Sequence, residues 1–409
     1  MADLPPVAEA PDTPTRSVTQ STGAKGRSAV RSVGLDLGTR QITYCEVKDG
    51  KVVERGTVRR AEQLARILGP NTAAARVGFE ACREAWCVHE LLTSWGQQPL
   101  MIDTTRARQI GIGQHKRKTD RIDAEVVAQA VEQGRLPLAH LLSVERRELR
   151  AQLSVRRAIV EARAQYVTTV RGLARSKNHR LPSCHSGGFV AMLRAASLDE
   201  GTRELVAPLE RTLVVLDEQL AVVDAKLEEL CAREPVVQQL STTPGVGRIV
   251  AASFVSVIDD AKRFSGAHQV ESYLGLVPGE DSSGGRRRIG AITKQGNSYA
   301  RSLLVEAAWC ILKQRDGSDP LKRWADAIVA RRGKRIAVVA LARRLAGVLW
   351  AMWRDGTVYE PARLGIKIAV GLQREAQSLD MRAEALRRAA KKATRRRRPT
   401  SSNQEVRIH

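Results

Sequence analysis

Hydrophobic positions come in short β-type runs at Ser32–Gly38, Gln41–Val47 and Val52–Val58, and the turn residues between them predict three consecutive hairpin strands. A helical stretch follows at Ala61–Leu68. Next come a strand at Ala75–Phe79, a helix at Trp86–Trp95, an apolar run at Pro99–Ile102 and a helix at Arg121–Gln133. Three strands followed by alternating helix and strand predict an α/β domain built on a mixed sheet.

From about Val144 to Glu234 the pattern turns helical and strongly charged. Leu209, Leu213, Leu216, Leu220, Val223, Leu227 and Leu230 step by four and three in turn, a seam that needs a partner helix. Ile159, Ala162, Tyr166, Val170 and Leu173 form a second stripe, and the Pro182–Gly188 region can turn the chain back between them. Such a hairpin packs on itself or on a second subunit. A third region opens at Thr243-Pro244-Gly245-Val246-Gly247 and runs through several helices to about Arg354. The expected divisions are a disordered leader over 1–30, domains at 31–142, 143–235 and 236–355, and a basic tail over 356–409.

Charge narrows the partners. Sixty-seven Lys and Arg against 44 Asp and Glu give a net charge of +23, which favours a polyanion, nucleic acid first. A membrane is not expected, because no uninterrupted apolar stretch of about 18 residues occurs and the N-terminus lacks an apolar signal core. The six cysteines form no C-x-x-C pair, so neither a disulfide framework nor a zinc ribbon is indicated.

Four acids carry candidate chemistry. Asp36 ends an apolar strand between Gly34 and Gly38, and Glu80 directly follows the strand ending at Phe79. Asp120 and Asp123 sit three apart at a helix start, a spacing that puts both on one face. Convergent carboxylates repel one another, and a bound divalent cation, Mg²⁺ or Mn²⁺ by the oxygen ligands, would explain the set. Metal-assisted phosphoryl transfer is the corresponding reaction class.

Farther along, Ser282 and Ser283 stand in a glycine-containing loop just before Arg286, Arg287 and Arg288, with Lys294 and Arg301 following. A hydroxyl beside several cations suits attack on a phosphate. Thr243–Gly247 resembles the hairpin of helix-hairpin-helix modules, in which glycines such as Gly245 and Gly247 let backbone amides reach a DNA phosphate.

Three signatures together resemble the DEDD-type insertion-sequence transposases, the group of bridge-RNA-guided recombinases. They are Gly34-Leu35-Asp36-Leu37-Gly38; Lys118-Thr119-Asp120-Arg121-Ile122-Asp123-Ala124; and Pro244–Gly247 with Gly275-Leu276-Val277-Pro278, Ser282-Ser283-Gly284-Gly285, Gly290, Lys294, Gly296-Asn297 and Arg301. The resemblance covers Arg31 to about Arg354. It implies a RuvC-like, ribonuclease H-type N-terminal domain with Asp36, Glu80, Asp120 and Asp123 as metal ligands, a coiled-coil arm that assembles a dimer or tetramer, and a mainly α C-terminal domain whose catalytic serine maps to Ser283. It further implies a covalent phosphoserine intermediate, target and donor DNA, a structured non-coding bridge RNA as partners, and a cytoplasmic, nucleoid-associated bacterial setting. Ala81, Cys82 and Arg83 after Glu80 depart from the family's pattern. The residues also accommodate a water-using metal nuclease or junction resolvase, and a non-catalytic nucleic-acid-binding protein.

Overall fold

A computed structural model describes residues 30–104, 106, 120–280, 289–362 and the single positions 364, 377, 381, 384 and 387. The expected leader before Val30, the basic run Arg395–Arg398 and the loop holding Ser282 and Ser283 lie outside the described residues. The chain forms two compact units, divided between Leu141 and Leu142.

The first unit is mixed α/β. Strands β1 (Arg31–Leu37), β2 (Ile42–Lys48) and β3 (Lys51–Val58) are followed by a 3-10 turn (Ala61–Leu64), α1 (Ala65–Leu68), β4 (Ala75–Glu80), α2 (Ala85–Ser94), β5 (Gln98–Ile102) and α3 (Asp120–Gln133). They make one five-stranded sheet in the order β3-β2-β1-β4-β5. The first two pairings are antiparallel hairpins, whereas β1, β4 and β5 run parallel. Successive side chains of a strand point to opposite faces, and this parity sorts the unit into layers. On one face Val33, Leu35, Val77 and Phe79 pack with Leu64, Leu68, Val88 and Leu92. On the other, Cys45 and Val47 pack with Ala124 and Ala128 of α3.

Glycine makes the second layer possible. Gly34 and Gly78 are register partners on β1 and β4 and so share the α3 face. A Cβ on Gly34 would lie 2.1 Å from the Ala124 carbonyl oxygen and 2.5 Å from the Ala128 nitrogen, so α3 seats directly on the strand backbone. Gly34→Ala is therefore expected to cost roughly 2–3 kcal/mol, the upper part of the usual overpacking range, because the obstructing atoms are backbone and cannot rotate away. Chemical unfolding of the purified protein checks it, and an unchanged midpoint would show that α3 is not seated this way.

The second unit is mainly helical. Helices α4 (Val144–Ser176), α5 (Phe189–Ala195) and α6 (Glu200–Ala232) lead into α7 (Pro235–Leu240), α8 (Arg248–Ile258) and α9 (Ala267–Tyr273). A small hairpin of β6 (Pro278–Glu280) and β7 (Ile289–Ile292) precedes α10 (Ser298–Lys313), α11 (Pro320–Arg332) and α12 (Lys334–Asp355). The two 33-residue helices α4 and α6 pack side by side. Arg156 binds Asp224 at 2.6 Å and Arg163 binds Asp217, so seven residues forward on α4 match seven back on α6 and the pair is antiparallel. Val170, Phe189, Leu193, Val206 and Leu213 make its distal core, while Leu149, Leu153, Leu227 and Cys231 join the core of the C-terminal helices. Along the predicted seam Leu213 and Leu227 are buried, and Leu216, Leu220 and Val223 are half-buried.

Helix α12 is central to the C-terminal core, where Leu341, Leu345 and Leu349 are fully buried. By length and mean hydropathy, 1.6, it alone among the described helices meets a membrane-span test, but 56% of that window is buried inside the fold. Arg343 and Arg344 interrupt its apolar run, in keeping with the sequence expectation of no uninterrupted stretch.

Candidate functional site

Strand parity and helix direction decide where the four acids lie. Leu35 of β1 pairs with Phe79 of β4, so one further step places Asp36 beside Glu80 at the C-terminal ends of two parallel strands. Asp36 is two residues beyond Gly34, and Glu80 two beyond Gly78, so both share the glycine face that receives α3. Arg55 of β3 lies 3.7 Å from Glu125, and the backbone N–H of Gly50, at the start of β3, donates to Glu132 at 3.1 Å. Helix α3 thus descends as β3 and β1 ascend, and its first turn lies toward the strand ends that carry Asp36 and Glu80. Ala124 against Gly34 fixes Asp123 one residue nearer those ends.

Burial makes Asp123 informative. It is 8% exposed and has no hydrogen-bond or ion-pair partner among the described residues. A bound cation on this face would offset the charge of that carboxylate. Asp36, Glu80 and Asp123 are all described, yet no three His, Cys, Asp or Glu side chains among the described residues are grouped to hold a metal ion; the side chain of Asp120 lies outside them. The donor set nevertheless fits a hard divalent cation. All four candidates are carboxylates, and Mg²⁺ is commonly held by one or two of these together with water and substrate phosphates. Elsewhere, His179 is tied to Asp199 at 2.5 Å and Arg171 approaches the Cys184 Sγ at 3.7 Å, and neither belongs to a metal-binding group among the described residues.

In the second unit, the described residues stop at Glu280 of β6 and resume at Ile289 of β7, so Ser283, Arg286, Arg287 and Arg288 lie outside them. The base of this hairpin is described, and it explains the spacing of the motif around it. Gly275 has φ +67, and a Cβ there would fall 2.2 Å from the Gln295 carbonyl oxygen. Gly296 has φ +71, and its Cβ would fall 2.1 Å from the Tyr273 carbonyl oxygen. The two segments therefore lie backbone against backbone, where only glycine fits. Arg301 ties them by donating to the carbonyls of Leu274 at 3.0 Å and Gln295 at 2.8 Å, and burial lowers its pKa. Asn297 caps α10 by accepting from the N–H of Ala300 at 2.9 Å. Lys294 is exposed and held at φ +56 within the same base.

Gly245 and Gly247 sit between α7 and α8 and differ in role. Gly245 has φ +75 and faces the Ala307 carbonyl oxygen, which a Cβ would approach to 2.7 Å, so its lack of a side chain serves packing. Open space surrounds Gly247, the N-cap of α8, but Arg248 beside it is paired with Glu228 of α6. That carboxylate stands close to where a helix N-terminus would receive a phosphate.

One feature escaped the sequence reading. A cavity of about 300 Å³ opens between α4, α8 and α10, lined by Arg150, Ser154, Arg157, Ser253, Ser298 and Tyr299 among others. The signal was available on α4, where Arg150, Leu153, Ser154 and Arg157 fall at helical spacing on one face.

Comparison with known proteins matches two stretches of the chain. Residues 33–177 match a family described as Transposase, of the DEDD IS110 type, and residues 237–323 match the Transposase IS116/IS110/IS902 family. The transposase for insertion sequence element IS1111A of Coxiella burnetii is 25% identical over 339 residues, covering 79% of this chain and 89% of that protein. A probable family 20 transposase of Pseudomonas aeruginosa is 27% identical over 339 residues, covering 80% and 98% respectively. An uncharacterized 42 kDa protein of insertion element IS900 from Mycobacterium paratuberculosis is 35% identical over 161 residues, 39% of each chain. The first stretch contains all four acids, and the second contains the Ser283 loop and its glycine-locked base.

Proposed function

We propose, on the premise that the chain belongs to the IS110/IS116 family of DEDD transposases, that it cuts and rejoins DNA through a covalent bond to Ser283. The Ser283 hydroxyl attacks the scissile phosphorus, the bond to the leaving deoxyribose oxygen breaks, and the serine's proton ends on that oxygen, which departs as a hydroxyl; the reverse transfer accompanies rejoining. A deoxyribose hydroxyl of the joining strand then attacks the phosphoserine and releases the serine. The phosphodiester energy is kept in the protein–DNA bond, so no nucleotide cofactor is needed. Asp36, Glu80, Asp120 and Asp123 would hold a divalent cation, Mg²⁺ or Mn²⁺, which when bound supplies charge for the phosphate and its attacking oxygen. Arg286, Arg287 and Arg288 offer charge to the pentacovalent phosphate. Gly275, Gly296 and Arg301 lock together the segments that flank the β6–β7 hairpin.

The observation that carries this reading is the shared face of Asp36, Glu80 and α3, set by the paired glycines Gly34 and Gly78. A RuvC-like fold for the first unit is consistent with its strand order and with three parallel strands flanked by a hairpin edge. Two or more copies joined along the α4–α6 arm would cover the half-buried Leu216 and Leu220. Target and donor choice we assign to a structured non-coding RNA, which leaves the protein to read backbone shape. The experiment is DNA joining by the purified protein with Mg²⁺, with and without the transcript of its own element. Joined product that requires both is expected, and joining at full rate without the transcript would remove the RNA from the reading.

A further inference from the structure

We infer that the cavity between α4, α8 and α10 is a binding site for a backbone phosphate of a polynucleotide. This rests on the nucleic-acid reading above and adds to it a place on the second unit where a strand is gripped.

Its lining is suited to an anion. Arg150 and Arg157 enter from α4, and no Asp or Glu lines the cavity. Arg150 is exposed and has no ion-pair partner among the described residues. Arg157 lies 5.2 Å from the centre of the Tyr299 ring, which orients its guanidinium toward the start of α10. Its one carboxylate, Glu161 at 2.7 Å, is 63% exposed and sits one helical turn away, an exposed pair that is readily exchanged for a better anion.

The helix end adds fixed donors. Helix α10 is 16 residues long, and its cap takes the N–H of Ala300. The N–H groups of Ser298 and Tyr299 have no acceptor within the helix and border the cavity, with the positive end of the helix dipole behind them.

A helix end alone would not make a site. The independent observation is Ser253, on α8. It is 2% exposed, lines the cavity, and its hydroxyl has no partner among the described residues. Its neighbour Ser256, 1% exposed, donates to the Ser253 carbonyl at 2.9 Å and is thereby satisfied. A hydroxyl that lines the cavity and has no protein acceptor can donate to a phosphate oxygen held there. At about 300 Å³ the space exceeds a phosphate and can admit the sugars on either side.

Position favours a polymer over a small anion. Asn297 and Ser298 close the segment that begins at Ile289, the first described residue after the serine loop. A strand held here is gripped beside the segment that follows β7 and leads into α10. The excess charge of +23 draws in any polynucleotide, but this cavity would fix its register.

The test uses the full chain, a duplex DNA and a single-stranded RNA of equal length, titrated over a range of KCl, with inorganic phosphate as a third probe. Arg150→Gln is expected to weaken binding about tenfold and to reduce the salt slope by about 0.9 on duplex DNA. Ser253→Ala removes no charge. It is expected to weaken binding about threefold with an unchanged salt slope and an unchanged melting temperature. The polynucleotide whose affinity falls in both variants identifies the source of the phosphate, and either one supports the inference. Wild-type affinity for both polynucleotides in both variants would overturn it. So would a loss in Arg150→Gln with none in Ser253→Ala, which marks diffuse charge, or an effect on inorganic phosphate alone. If the wild-type chain binds neither polymer, the proposed function itself fails, and the difference is visible in the first titration.

Discussion

Asp36→Asn is expected to reduce DNA cleavage and joining by roughly a thousandfold or more while the chain stays folded. The substitution keeps size and shape and removes one charge. Asp36 stands near the end of β1 on the face that carries α3, beside Glu80 and near the first turn that bears Asp123. An amide oxygen is a poorer ligand for a hard cation than a carboxylate. If the acids serve to hold a cation, the asparagine also relieves repulsion among those that remain, so the cation-free protein should melt no earlier than wild type. Added Mg²⁺ should raise the wild-type melting temperature by mass action and leave the variant unmoved. Asp123→Asn should behave alike, since its buried carboxylate has no partner among the described residues. Joined product at the wild-type rate from Asp36→Asn, together with an earlier melting transition, would make the aspartate a structural residue.

Much of this arrangement is legible in the amino-acid sequence. The strand-forming runs at Ser32–Gly38, Gln41–Val47, Val52–Val58 and Ala75–Phe79 correspond to β1, β2, β3 and β4 within one or two residues, because each is short, apolar and bounded by turn residues. The order of pairing was not legible. Nothing local to Arg31–Leu37 says that it lies between β2 and β4, since that follows from the α1 crossover and from long-range register. Gly34 and Gly78 read alone are two small residues, and only register shows that they stand side by side under α3. The heptad seam of α6 announced a partner helix, and α4 is packed against it. Periodicity could not announce that Arg163, 7% exposed, would replace an apolar layer by pairing with Asp217. Lys294 and Arg301 look alike in composition, yet Arg301 is engaged with two carbonyls and Lys294 is exposed. The cavity at Arg150 and Ser253 was hidden because its lining comes from three helices far apart in the chain.

Ser283→Ala is expected to abolish the denaturant-resistant protein–DNA adduct and to lower joined product to background, a loss of roughly a thousandfold or more for a missing nucleophile. Ser282→Ala should leave both within a few-fold of wild type, because the two hydroxyls are adjacent and only one can be aligned with the leaving oxygen. The pair of variants separates two chemistries that both call on the four candidate acids. If water is the nucleophile, Ser283→Ala still cuts at the wild-type rate, no adduct forms with either protein, and Asp36→Asn remains inactive. If the serine is the nucleophile, Asp36→Asn and Ser283→Ala fail together on cleavage. Folding should be untouched in Ser283→Ala, since the glycine-locked base formed by Gly275, Gly296 and Arg301 is made without it. A stable Ser283→Ala protein that still yields adduct through Ser282 would move the nucleophile by one residue, whereas adduct in the double variant would remove serine from the mechanism.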